Sequence, residues 1–197
     1  MNITVLGAGA WGTALAIHFA KQHHQVRLWA RDTEHVLQMK QSRSNERYLA
    51  GFVFPPQLTL ETDLQAAISA TELVLIATPV AGLRPTLEKI SPHIHADLPI
   101  MTACKGFEVS TGKLPHQVVA DVLPQQQHIV LLSGPSFAQE LAEQLPCAVT
   151  LAAADSTWIE QLCRSLNSPV LRLYASNDLT GVAVCGALKN VMAISTY

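Results

Sequence analysis

Ile3-Thr4-Val5-Leu6-Gly7-Ala8-Gly9-Ala10-Trp11-Gly12-Thr13-Ala14-Leu15-Ala16 decides how the rest of the chain is read. Ile3–Leu6 is apolar or β-branched throughout, as a strand covered on both faces requires. Gly7 to Gly12 then fits G-x-G-x-x-G, and Ala14, Leu15, Ile17, His18 and Phe19 recur behind it at helical spacing. A further short apolar run, Val26–Ala30, supplies a second strand. In that setting each glycine has a physical task. Gly7 permits the tight turn, Gly9 lets backbone approach a pyrophosphate, and Gly12 permits close packing of helix on strand. The helix N-terminus adds N–H groups and the positive end of its dipole. The stretch reads as a dinucleotide-binding turn, against the alternative of a glycine turn that binds nothing.

Working outward, strand candidates recur at Leu58–Leu60, Leu73–Ala77, Ile100–Ala103, Ile129–Leu132, Ala148–Leu151 and Val170–Leu173, with helical patterns between most of them. Strands alternating with helices predict βαβ units with right-handed crossovers, hence an α/β, Rossmann-like, doubly wound and mostly parallel sheet. Residues 42–57 carry Tyr48, Gly51, Pro55 and Pro56 and read as one long connection. Ser176-Asn177-Asp178 is an N-cap cluster, and Leu179 to Tyr197 reads as one helix with no stop signal. With Gly181 and Gly186 in it and nothing evident to pack behind it, this helix reads as the first element of a second domain. The expected division is a nucleotide-binding domain over 1–175 and the opening of another over 176–197.

Composition narrows the function classes. The 197 residues are 49% hydrophobic and 14% charged, enough apolar material for a core, and the formal net charge of -2 argues against a protein that coats nucleic acid or an anionic membrane. Cys104, Cys147, Cys163 and Cys185 are far apart and form no C-x-x-C pair, so free thiols in a reducing cytoplasm are expected, without a metal site. His93 and His95 flank one residue in a stretch with Pro92 and Pro99 that reads as loop, and no metal is expected there. Gly7, Gly9 and Gly12 interrupt the apolar N-terminus, which also lacks a basic start, so it reads as strand and helix instead of a signal peptide. No stretch is long and apolar enough to suggest membrane insertion.

Ligands of open parallel sheets bind beyond the carboxyl ends of the strands. At the end of the second strand, where an NAD site would place an acidic residue, the chain has Ala30-Arg31-Asp32. Arg31 suits the 2′-phosphate of NADP(H), with a solvated surface arginine as the alternative, and Asp32 reads as the N-cap of a helix from near Thr33, so NADP(H) is favoured with NAD(H) admitted. Lys105 follows the fifth strand as an isolated cation suited to an anionic or carbonyl oxygen, with a surface lysine as the alternative. Gly134 and Ser136 follow the sixth strand and offer an N–H and a hydroxyl, or simply a turn and a cap. Lys189 shares its helix face with Val182, Cys185, Gly186 and Ala193. A lysine on so apolar a face is desolvated and suited to acid–base work, although an interface lysine fits the same pattern.

The glycine block, Ala103-Cys104-Lys105-Gly106, Ser133-Gly134-Pro135-Ser136-Phe137-Ala138 and Gly186-Ala187-Leu188-Lys189-Asn190-Val191, taken together in this order, resemble bacterial NAD(P)-dependent glycerol-3-phosphate dehydrogenases. The resemblance implies reversible reduction of dihydroxyacetone phosphate to sn-glycerol 3-phosphate for phospholipid synthesis, in the cytoplasm. It implies that Gly7, Gly9, Ala10, Trp11, Gly12 and Arg31 contact the dinucleotide and that Ala138 lies beside it. Lys105 would touch cofactor and substrate, Gly134 and Ser136 the substrate, and Lys189 would bind the substrate and carry the proton. The family's all-helical second domain is not in this sequence, and Ile194-Ser195-Thr196-Tyr197 departs from the family's run of small residues. A homodimer of the longer form is compatible with this reading. So are two rival functions, a non-catalytic NADP(H)-binding redox sensor and a related hydroxyacid dehydrogenase. Lys105 and Lys189 together favour the enzyme, since a sensor needs neither.

Overall fold

The computed structural model describes residues 1–195, with side chains through residue 188. The strand-forming runs become β1 (Asn2–Leu6), β2 (Gln25–Trp29), β5 (Leu58–Glu61), β6 (Leu73–Ile76), β7 (Ile100–Thr102), β8 (Ile129–Ser133), β9 (Cys147–Ala152) and β10 (Leu171–Ser176). All eight lie in one sheet of order β10-β9-β8-β7-β6-β1-β2-β5. From β5 across to β8 the pairings are parallel; β9 pairs with β8 antiparallel, and β10 runs parallel to β9. Chain order reverses direction across the sheet between β1 and β6, which is where open α/β sheets hold their ligands.

Two apolar layers sandwich the sheet, and alternation along each strand decides which layer a side chain joins. Ile3 and Val5 of β1 join Leu15 and Phe19 of α1 (Ala10–Lys21) on one face. Leu6 joins Val74 and Ile76 of β6 and Leu83 and Leu87 of α4 (Val80–Ile90) on the other. α2 (Thr33–Ser42), α6 (Ala138–Ala142) and α7 (Ser156–Leu166) complete the helical elements contributing to the first layer, and α3 (Leu64–Ile68) and α5 (Pro115–Val122) those of the second. The central strands such as β6, buried at every position, are apolar along their whole length, while the outer β5 and β10 alternate buried and exposed residues.

Two sequence expectations change. The connection over 42–57 contains a two-stranded hairpin, β3 (Ser44–Asn45) with β4 (Leu49–Val53). Arg43, in the left-handed conformation at the end of α2, donates to the carbonyls of Phe54 (3.0 Å) and Pro55 (2.9 Å) and so closes the segment. The last helix, α8 (Leu179–Ser195), is likewise not bare. Ala183 is buried with Leu114, Leu131 and Ala152, and Leu179, Val182 and Val184 pack against that cluster. Its start is as expected, with Asp178 Oδ1 accepting from Gly181 N–H at 2.7 Å.

Candidate functional site

The glycine turn at the end of β1 performs the three tasks by measurable geometry. Gly7 has φ +118°, a backbone that side chains rarely adopt, and a Cβ there would meet the Ala77 carbonyl oxygen at 2.8 Å. At Gly12 a Cβ would overlap the Gly7 carbonyl oxygen and press on Ala77 Cβ at 3.0 Å, so α1 can sit this close only with glycine there. Gly9, the N-cap of α1, faces open space: nothing lies within 4 Å of where its Cβ would be. No acidic side chain stands in the first turn of α1 to weaken the positive pole of the helix. Trp11 packs against the core and leaves its buried indole N–H without a hydrogen-bond partner among the described residues. An open face at Gly9 and a helix pole without a local carboxylate fit a pyrophosphate, the central group of a dinucleotide.

The hairpin that was missed in the sequence braces this turn. Asn45 is fully buried and donates to the Ala8 carbonyl at 2.9 Å and to Thr13 Oγ1 at 2.8 Å, while its Oδ1 lies 3.0 Å from His35 Nε2. Its neighbour Arg47 reaches Asp32 at 3.2 Å and lies 5.1 Å from the centre of the Tyr48 ring. Asp32 is the N-cap of α2, accepting from His35 N–H at 3.1 Å. That bond, then Arg47, holds its carboxyl below the usual carboxylate range. Both of its oxygens are therefore engaged, and Arg31, exposed beside it, is the residue at the end of β2 with an uncommitted role. This supports the reading of Asp32 as a cap rather than as a ribose ligand.

Lys105, Gly134 and Ser136 come together across the neighbouring strand ends. β7 is stitched to β6 where Ala103 N–H donates to Ile76 O at 2.8 Å. Two residues on, Lys105 Nζ donates to the Gly134 carbonyl at 3.0 Å. Gly134 is tightly packed, since a Cβ there would meet Val149 Cα at 3.1 Å. Ser136 precedes α6, and Ala138 is the first residue of that helix, packed against the core beside α1. Cys104 is buried with its thiol donating to Thr78 O at 3.0 Å; burial pushes its pKa up, so it stands as an inert thiol.

Past Lys105 the chain turns back through Gly106 to Glu108. That buried carboxylate accepts from Arg84 Nε at 2.8 Å and Nη2 at 2.9 Å, and from the Thr111 hydroxyl. Arg84 also reaches Asp121 at 2.7 Å, and Lys113 shares Asp121. These bonds hold the Glu108 and Asp121 carboxyls below their ordinary range. Neither this cluster nor Asn45 is legible in the sequence, because the partners are scattered along it and no spacing rule joins them.

α8 approaches the same corner. A Cβ on Gly186 would meet Ser133 Oγ at 2.5 Å, so a glycine there lets the helix rest on the carboxyl end of β8. Lys189 is in α8 one turn later, and its side chain lies outside the described residues. Among the described residues no group of three His, Cys, Asp or Glu side chains is placed to hold a metal, and no helix is long and apolar enough to cross a membrane.

The sheet order, the glycine turn and the open strand ends define a Rossmann-type nucleotide-binding domain. The profile of the N-terminal region of NAD-dependent glycerol-3-phosphate dehydrogenases matches residues 2–159, and the chain belongs to that family. Glycerol-3-phosphate dehydrogenase (NAD(P)+) of Neisseria meningitidis is 54% identical over 196 residues, covering 100% of this chain and 60% of the relative. The enzyme of that name from Dechloromonas aromatica is 46% identical, covering 100% of this chain and 59% of the relative. The crystal structure of glycerol-3-phosphate dehydrogenase from Coxiella burnetii superposes with a TM-score of 0.92 at 37% identity, over 99% of this chain and 59% of that one. The chain thus spans about 60% of the length of the curated relatives it matches.

Proposed function

We propose that this chain is the dinucleotide-binding part of a cytoplasmic NAD(P)-dependent sn-glycerol-3-phosphate dehydrogenase. Its reaction is the reversible reduction of dihydroxyacetone phosphate to glycerol 3-phosphate, a phospholipid precursor. The observation that carries the reading is the placement of a fitted pyrophosphate turn and the Lys105–Gly134 corner on the same carboxyl edge of the sheet, with β6 between them. The family membership supports it, and four cysteines with no disulfide among them suit a reducing compartment. In this reading residues 1–175 are the nucleotide-binding domain and 176–197 open a helical substrate domain. A homodimer of the longer protein is part of the same reading, to be tested by its mass in solution.

When bound, the reduced nicotinamide supplies the hydride for the ketone carbon. In this reading Gly7, Gly9, Ala10, Trp11 and Gly12 bind the dinucleotide through the first turn of α1. Arg31 pairs with the 2′-phosphate and favours NADP(H) over NAD(H). Ala138 lines the cofactor side of α6. Lys105 holds an oxygen of cofactor and substrate with its ammonium group, while Gly134 and Ser136 offer an N–H and a hydroxyl to the substrate. Negative charge grows on the ketone oxygen during reduction, and Lys189 delivers the proton to it, or removes it from the alcohol in reverse.

Titration of the purified chain with NADPH, followed by NADPH oxidation with dihydroxyacetone phosphate, tests this. The chain is expected to bind NADPH and turn over poorly, while a version extended to the length of its relatives turns over. Positioning and phosphate anchoring supply ~7 kcal/mol or more of such a barrier. Failure of the extended version to oxidise NADPH with this substrate would sink the proposal.

A further inference from the structure

We infer that Glu108, clasped by Arg84, is a positioning residue for Lys105: an ionic clasp, not apolar packing, holds the loop that carries the active-site lysine. The inference rests on the proposed role of Lys105 for its functional consequence, and on the structure for its mechanism.

Residues 106–113 leave the sheet after Lys105 and return at the buried Leu114. The apolar side chains between these points do not anchor the loop, since Phe107 is 44% exposed and Val109 97% exposed. What lies inside is Glu108, 6% exposed and using every polar group it has. Its N–H donates to Lys113 O at 2.9 Å, and its carbonyl accepts from Gly112 N–H at 2.8 Å and Thr111 N–H at 3.3 Å. Its two carboxylate oxygens take the two-pronged Arg84 guanidinium and the Thr111 hydroxyl. Arg84 stands on α4, the helix that begins immediately after the Thr78-Pro79 end of β6. Asp121 on α5 ties Arg84 and Lys113 together from the other side. The clasp thus joins the loop to α4 and α5, two of the helices packed on that face of the sheet.

Planar two-pronged pairing fixes direction as well as distance, so the loop can approach α4 in one way only. Lys105 lies at the hinge of that loop, three residues before Glu108, and its Nζ must span to the Gly134 carbonyl on the next strand end. Releasing Glu108 removes the loop-side restraint on the Lys105 backbone, which the strand then holds from one side only, and leaves the Nζ bond to Gly134 to be made from a looser backbone. Separating a buried carboxylate from its guanidinium is costly even though Arg84 keeps Asp121, so the positioning is stiff while the pair is intact.

The test uses this chain and two readouts. Amine acylation followed by mass spectrometry gives the labelling rate of Lys105 relative to Lys40, which lies on α2 away from the loop. Glu108→Gln is expected to raise that ratio by about fivefold, the order of one lost hydrogen bond's net worth. An unchanged ratio in a folded variant would overturn the inference. NADPH dissociation constants are then measured for the native chain, Lys105→Ala, Glu108→Gln and the double variant. Glu108→Gln is expected to weaken NADPH by several-fold with Lys105 present and to add nothing once Lys105 is alanine. Equal weakening in both backgrounds overturns it, because Glu108 would then act on the cofactor by another route. If labelling rises while Lys105→Ala leaves NADPH binding intact, the clasp stands and the cofactor role of Lys105 falls. Should Glu108→Gln not fold, Arg84→Lys, which keeps the charge and loses the fork, is read by the same two measurements.

Discussion

The glycine turn after β1 and the Lys105 corner after β7 lie on one carboxyl edge of the sheet, on either side of β6, yet they are built by different means. At the turn the constraint is steric and lies in the backbone. Gly7, Gly9 and Gly12 are set by what a Cβ would hit or leave open. At the corner the constraint is ionic and lies in long side chains: Lys105 to Gly134 O, Glu108 to Arg84, Arg84 and Lys113 to Asp121. A steric site tolerates no change but barely notices salt. An ionic site tolerates shape changes and is sensitive to charge.

The sharpest way to break the comparison is Gly12→Ala. A methyl group cannot fit against the Gly7 carbonyl, so α1 must move off β1. We expect a loss of about 3 kcal/mol or more in urea unfolding, together with loss of NADPH binding. A folded variant of native midpoint would show that the turn is not sterically closed. Next in size is the pH response of α1 itself. His18 is buried in that helix, and desolvation lowers its pKa from 6.5 to about 4. The unfolded chain therefore takes up the proton first, and stability that is present above pH 6.5 is lost as pH falls toward 4. The loss expected over that window is about 3 kcal/mol. His18→Leu should flatten this slope between pH 7 and pH 4 in denaturation measurements, and an unchanged slope would assign the effect elsewhere.

A smaller effect is expected from Asn45→Ala, which leaves the Ala8 carbonyl and Thr13 hydroxyl without their buried partner. A cost of roughly 1–3 kcal/mol is anticipated, with weaker NADPH binding because the turn loses its brace. Thermal unfolding in the presence and absence of NADPH separates the two contributions. Smallest is Arg31→Ala, an exposed side chain whose removal should cost NADPH about tenfold in affinity and leave NADH nearly unchanged. Equal losses for the two cofactors would show that Arg31 shapes the strand end instead of reading the phosphate.

How legible these features were follows the same divide. The central strands were readable because they are buried on both faces and so are largely apolar, whereas β5, β9 and β10 also carry exposed positions. The caps Asp32 and Asp178 were readable because their partners lie three residues ahead in the chain. The β3–β4 hairpin escaped notice. β3 is only two polar residues long, β4 (LAGFV) is mostly exposed, and the hairpin is held by Asn45 reaching Ala8, 37 residues away. α8 gave a true start signal, but the sequence could not show that Gly186 seats it on Ser133.

By itself, then, the sequence determined the α/β class, the strand set and the glycine turn. Those depend on properties that a few adjacent residues carry: apolar runs, a left-handed φ and the room a missing Cβ leaves. Tertiary structure alone decided that Asp32 is spoken for by Arg47, that Asn45 braces the turn, and that Glu108 and Arg84, 24 residues apart, clasp the Lys105 loop. Such pairings depend on strand order and helix placement. A carboxylate and a guanidinium carry the same charges wherever they fall in the chain, and only the folded sheet selects which of them meet.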